Sequence, residues 1–338
     1  AHATAIAVSA EGVTVKAQSM TGDTLEIRAR KLIVAAGAIE TTRLALLIDR
    51  QNGGAVSRTA PAVGRYFGDH LSVEVGEIDV LRRSELNRVI GFRFGRGGTM
   101  RNIRFELAPE TALRNVLPPS FAHIAFETDQ PSGFDALRDI YRCLQRRRAP
   151  PPALFGRLLR HAPWLARAVW WRFARSRLLF PAGARLIVHV VVEQAPAAEN
   201  RIGLSETQRD AFGSPLAEIR WAVREADKRN LCATAAAFER SWNEGGLSAL
   251  GRLRLFDRRS IEEALDKSGG IYHPTGSTRM GDDPADGVVD RDLNLYGLPH
   301  VQLLATSVLP TGGGANPTMT LLLLALRCVE QHLRALAA

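Results

Sequence analysis

Two stretches of this chain carry side chains suited to chemistry on a small molecule. The first is Tyr272-His273-Pro274-Thr275-Gly276-Ser277-Thr278-Arg279-Met280-Gly281. The second is Pro310-Thr311-Gly312-Gly313-Gly314-Ala315-Asn316-Pro317-Thr318-Met319-Thr320. An imidazole, with an ordinary pKa near 6.5, suits a proton acceptor at neutral pH, and His273 offers one. The competing reading of His273 is a loop histidine making structural hydrogen bonds. In the second stretch three glycines let the backbone turn sharply and approach another molecule. Asn316 suits an N-cap and Pro317 the first helical position, and a helix-forming run follows from Met319 to Leu333. The backbone N–H groups of Thr318 and Met319 and the positive end of that helix favour an anion or an electron-rich carbonyl. The Asn316 amide can donate a hydrogen bond but cannot act as a base. Its bland reading is a plain helix cap.

The elements that must hold these stretches can be read from periodicity. Residues 1–36 read as β-structure, with short runs at Ala3 to Val8 and Gly12 to Ala17 and a turn at Thr21-Gly22-Asp23. Lys31 to Ala36 is a buried-strand pattern ending in Gly37, and an amphipathic helix follows from about Glu40 to Ile48. Strand, small-residue turn and helix is a layout that brings backbone close to a ligand, although any βα unit shares it. Residues 51–68 read as a connection. Strands are expected at Leu71 to Val80, Val89 to Phe94, Ile103 to Leu107, Phe121 to Phe126 and 186–193. Asn200 to Leu204 and Ala217 to Trp221 continue the series, which suggests a largely antiparallel sheet. Helices are expected at 223–244 and 258–268. The pattern returns to α/β after 266, with short strands at Val288-Val289 and Val301 to Leu304.

Together these residues resemble a known family. HPTGSTRMG followed by GGGANPTMT is similar to the C-terminal signature of the glucose–methanol–choline (GMC) flavoprotein oxidoreductases. Gly287-Val288-Val289-Asp290 and Ser307-Val308-Leu309-Pro310-Thr311 match the same pattern, in the same order. RKLIVAAGAIETTRLALL, residues 30–47, resembles the family's second signature. The resemblance implies FAD as cofactor and an alcohol, sugar or polyol as substrate. It implies that His273 faces the flavin ring as base, with Asn316 beside it. It places Ala3 by the adenine end and Ala36 and Gly37 against the flavin nucleotide. Ala305 and Thr306 fall on the flavin side, where many members have Asp-Gly, and this points to the sugar or polyol branch. Asn316, Pro317, Thr318 and Met319 fall at the pyrimidine edge.

The implied fold is mixed α/β and α+β. A partial Rossmann-like FAD domain (1–68) leads to an antiparallel-sheet substrate domain with helices (69–265), and 266–338 returns to the FAD domain. Val63 to His70 resembles the passage between them, and His70 is expected to be structural. A full member opens with a GxGxxG turn that holds the FAD pyrophosphate. The nearest glycine clusters here, Gly95 to Gly98 and Gly312 to Gly314, lack that spacing. The chain, which starts Ala1-His2-Ala3, is therefore expected to be a fragment of the family's length that binds FAD poorly alone. The rival reading is a non-catalytic binding or scaffold protein derived from the substrate domain. The electron acceptor (oxygen, quinone or cytochrome) and the compartment stay open.

At 338 residues there is room for two domains, and 46% hydrophobic with 23% charged residues is ordinary for a globular protein. Cys143, Cys232 and Cys328 are scattered, which gives neither a metal set nor a disulfide framework. No apolar run is long enough to span a bilayer. The net charge is +9. Part of it falls in a helical insertion at about 136–180, where Arg146-Arg147-Arg148 precedes Pro150-Pro151-Pro152 and apolar and Trp residues alternate with arginines. The first reading is a helical segment packed on the sheet with solvated arginines. The second is contact with an anionic membrane surface through 153–180. Nucleic-acid binding comes last and is not expected.

Overall fold

The computed structural model describes residues 1–128, 131–181, 183–267, 270, 273–314 and 316–337. In chain order the strands are β1 His2–Ser9, β2 Gly12–Gln18, β3 Thr24–Ala29, β4 Leu32–Val34, β5 His70–Val80, β6 Arg93–Phe94, β7 Met100–Arg101, β8 Arg104–Glu106, β9 Ser120–Glu127, β10 Arg185–Glu193, β11 Arg201–Arg209, β12 Pro215–Arg220, β13 Gly251–Leu255, β14 Asn294–Leu295 and β15 Leu298–Leu303. The helices are α1 Ala38–Gln51, α2 Ala55–Thr59, α3 Arg83–Ile90, α4 Ala112–Val116, α5 Gly133–Gln145, α6 Pro152–Arg160, α7 Ala162–Ala174, α8 Glu225–Glu244, α9 Arg258–Lys267 and α10 Thr318–Ala337.

The residues cluster in two units. The first joins 1–71, 193–227 and 269–338. It holds an antiparallel sheet in the order β1-β2-β3, a small sheet in the order β14-β15-β4, and the ribbon β11-β12. β4 runs parallel to β15, pairing Leu32 with Val301 and Val34 with Leu303. Val34, Ala45, Ile48, Val301, Leu303 and Val308 form part of its buried core. α1 amphipathicity explains the packing, since Ala38, Thr41, Thr42, Ala45 and Ile48 recur at helical spacing on the buried side. The chain from 200 to 221 was expected to extend the large sheet. It forms the separate β11-β12 ribbon instead, with Ile202 opposite Ile219.

The second unit holds 72–192 and 228–268. Its five-stranded sheet has the order β13-β5-β10-β9-β8, antiparallel at β13/β5, β10/β9 and β9/β8. The apolar run 186–193 is its buried central strand. α8 packs on it: Phe238 lies 5.0 Å from Phe105, Ser120 bonds Thr234 at 2.8 Å, and Trp242 Nε1 donates to Gly251 O at 2.8 Å. The expected strand at Val89 to Phe94 begins as the end of a helix, with Val89 and Ile90 in α3. α3 ends at Ile90, because Leu86, Asn87 and Ile90 bury one face at i, i+1 and i+4. Only Arg93 and Phe94 are extended. Val288-Val289, expected as a strand, makes isolated bridges, Val289 with Met280 and with Leu295.

Candidate functional site

The site residues predicted from sequence fall in the first unit, where a backbone scaffold fixes the His273 loop. Thr275 and Gly68 exchange backbone hydrogen bonds at 2.9 and 3.1 Å. Gly64 N donates to Ser277 O at 2.8 Å. On its other side the loop runs beside 306–309. Gly276 N donates to Leu309 O, Thr278 N to Ser307 O, and Met280 N to Val308 O. Thr306 Oγ1 donates to Pro274 O at 2.7 Å. Side chains close the layer: Ser277 bonds Thr42 of α1 at 2.8 Å and Thr278 donates to Ser307 at 2.7 Å, all four buried. Gly276 is required here. Its φ is +85°, and a Cβ would stand 2.0 Å from Tyr66 O.

His273 itself is set from behind by Asp69. Asp69 Oδ1 accepts the backbone N–H of His273 and that of His70, each at 2.7 Å. The His70 ring meets the His273 ring edge-to-face, with centroids 5.5 Å apart. His70 is 3% exposed, and its Nε2 lies 2.5 Å from Gly313 O, so Nε2 carries the proton and donates. Its Nδ1 is buried with no partner. Gly312 packs on the same ring, where an added Cβ would come within 3.2 Å of Cε1. The His273 loop and the glycine loop are therefore joined through Asp69 and His70. Sequence reading gave His70 a structural role and did not single out Asp69. The adjacency Asp69-His70 after a glycine was the available signal.

The parallel pairing of β4 and β15 brings the carboxyl ends of these strands together, the edge at which α/β sheets take ligands. Leu304 N donates to Val34 O at 2.8 Å. Ala36 and Gly37 thus share one sheet edge with Ala305 and Thr306. Ala36 and Gly37 are exposed, Gly37 has φ +80° at the start of α1, and nothing lies within 4 Å of where its Cβ would be. Gly37 O accepts from Thr41 N, so the first N–H groups of α1 have no intrahelical acceptor. Ala305 is 1% exposed, leaving backbone rather than side chain to face a ligand there. At α10 the first helical bond runs from Leu321 N to Pro317 O. The helix starts at Thr318, one residue later than an Asn316 cap gives. Asn316, Thr318 and Met319 are exposed and Pro317 is buried. Ala3 lies apart from the Gly37 edge, toward the other end of α1, where the neighbouring Thr4 O accepts from Gln51.

Residues 196–325 match the family model described as GMC oxidoreductase. This part of the chain is similar to the GMC oxidoreductases. The wider chain is 26% identical over 316 residues to the 2-methyl-1,2-propanediol dehydrogenase of Mycolicibacterium austroafricanum, covering 91% of this chain and 48% of that protein. It is 30% identical over 148 residues to the paromamine 6'-oxidase of Streptomyces fradiae (43% of this chain, 25% of that protein). It is 28% identical over 149 residues to the fructose dehydrogenase large subunit of Gluconobacter japonicus (43% and 24%). The chain thus spans about half the length of the first of these relatives. Its fold is similar to part of that of pyridoxine 4-oxidase from Mesorbium loti, with a TM-score of 0.53 and 15% identity over 97% of this chain and 56% of that one. GMC oxidoreductases are flavoproteins. The exposed Ala36-Gly37 turn, the open space over Gly37 and the first N–H groups of α1, which have no acceptor within the helix, fit a nucleotide lying on that edge.

Proposed function

We propose that the chain belongs to an FAD-dependent oxidoreductase acting on CH–OH groups of an alcohol, sugar or polyol. The observation that carries this reading is the Asp69-anchored His273, tied through His70 to the glycine loop that opens α10. Ala36, Gly37, Ala305 and Thr306 would hold the flavin, with Pro317, Thr318 and Met319 presenting the positive end of α10. Bound flavin supplies the hydride acceptor at N5. His273 takes the hydroxyl proton on a ring nitrogen, and Asn316 holds the substrate oxygen through its amide N–H. The buried Thr42, Ser277, Thr278 and Ser307 keep the base loop from shifting.

The pyrophosphate contacts are proposed to come from the part of the family that these 338 residues do not match. α10 carries a separate open surface. Met319, Leu322, Leu323, Leu326, Val329 and Leu333 are all exposed, a contiguous apolar face of the kind that marks an interaction surface. The test is spectroscopic. The full-length gene product is expected to purify with bound flavin, and an alcohol or sugar is expected to bleach it without oxygen. A colourless full-length protein that binds no added FAD would favour the scaffold alternative.

A further inference from the structure

The chain's net positive charge comes from one segment. Residues 140–184 contain ten arginines and no Asp or Glu. Removing them leaves 44 − 10 = 34 Lys+Arg against 35 Asp+Glu, a net charge of −1 for the rest. The excess therefore lies on Arg142 at the end of α5 and on the second unit's α6, α7 and the turns beside them.

The same segment exposes large apolar side chains. On α6 Phe155 and Leu159 are 48% and 74% exposed at i, i+4 spacing. On α7 Val169, Trp170 and Phe173 form a second row, Phe173 at 78%. The rows sit on a firm base. Trp171 is 5% exposed and anchors α7. A Cβ on Gly133 of α5 would stand 2.7 Å from His161 Cβ and 2.9 Å from Trp164 Cε3, so α5 lies tight against the corner between α6 and α7. Among the described residues, the arginines from 146 to 175 pair with no carboxylate; the acids of α5, Asp135 and Asp139, serve Arg138 and Arg142. The arginines crowd one another or aromatic faces instead. Arg175 lies over Trp170 and Arg172 over Phe94. Burial, and then the charge of Arg167, lowers the pKa of Arg83.

We propose that α6 and α7, with Arg146 to Arg148, form a docking surface for an anionic lipid membrane. Each row presents Phe, Leu or Trp for the acyl boundary, and the flanking guanidinium groups reach lipid phosphates. Nucleic acid uses aromatic platforms but has no use for exposed Leu159 and Val169. A second copy would set ten arginines against ten. The contact is peripheral, since no helix among the described residues is long and apolar enough to cross a membrane.

The test is flotation of the 338-residue chain with vesicles of phosphatidylcholine alone or with one part in three phosphatidylglycerol. Flotation is expected with the anionic vesicles only, weakening roughly tenfold as salt rises from about 0.1 to about 0.5 M. The triple variant Phe155→Ser, Leu159→Ser, Phe173→Ser alters exposed positions only. It is expected to keep its melting temperature and lose binding about tenfold. A charge variant, Arg146→Gln with Arg147→Gln and Arg148→Gln, is expected to lose the anionic preference. The proposal is overturned by no flotation with anionic vesicles, by binding that the apolar triple leaves unchanged, or by a dimer that hides this face. Capture by single-stranded RNA that outcompetes the vesicles also overturns it.

Discussion

Asp69 holds His273 by its backbone: Oδ1 accepts the His273 N–H at 2.7 Å across 204 positions of sequence. The same oxygen takes the N–H of His70. One carboxylate therefore sets two histidine backbones, and charge-assisted bonds of this kind are worth more than neutral ones.

Asp69→Ala removes both bonds and is expected to destabilise the chain by roughly 3 kcal/mol, while Asp69→Asn keeps an acceptor oxygen and loses less than half of that. Urea midpoints at unchanged slope measure the difference. Equal losses in the two variants would show that the shared acceptor is not what stabilises the loop.

His70→Phe keeps a buried ring but leaves the Gly313 carbonyl without its donor. Hydrogen exchange at Gly313 and Gly314 is expected to speed up about tenfold, in line with the loss of one hydrogen bond. His70→Gln retains an N–H and is expected to recover part of the protection. No local change in the Phe variant would mean that the glycine loop is held by other groups.

How much of this was legible in the sequence depended on the range of the contact. The β10 run of 186–193 declared itself, because eight residues of mostly apolar character need no partner to be recognised. α8 was similarly clear. α3 was misread from Val89 onward, because β-branched residues there favour a strand locally while Leu86 and Ile90 bury a helical face. A structural role for His70 was expected, but its partner was hidden, because Gly313 lies 243 positions away. Nothing near His70 in sequence tells that its ring is buried. The His273 and glycine motifs were legible as motifs. The pairing of 274–280 with 306–309 was not, since it rests on backbone bonds that any residue type can make.

A pH effect is expected in the second unit. His123 lies opposite His189 in the β9/β10 ladder. Burial, then the charges of His189 and Arg104, hold its imidazole at about 4 against an ordinary 6.5. Burial also lowers His189, partly offset by Glu74 and Glu127. The folded pKa is depressed, so this stability is present above about 6.5 and is lost as pH falls toward about 4, where the unfolded chain binds protons that the folded one refuses. Melting temperature is expected to fall across that window in the wild type and to fall less in His123→Gln. Parallel curves would place the acid sensitivity elsewhere.

The proposed base is tested most directly by His273→Ala in the flavin-loaded full-length enzyme. Single-turnover reduction by substrate is expected to slow by roughly a hundredfold to ten-thousandfold, with flavin content unchanged. Reduction at a rate near wild type, with flavin still bound, would contradict the role of His273 as the proton acceptor.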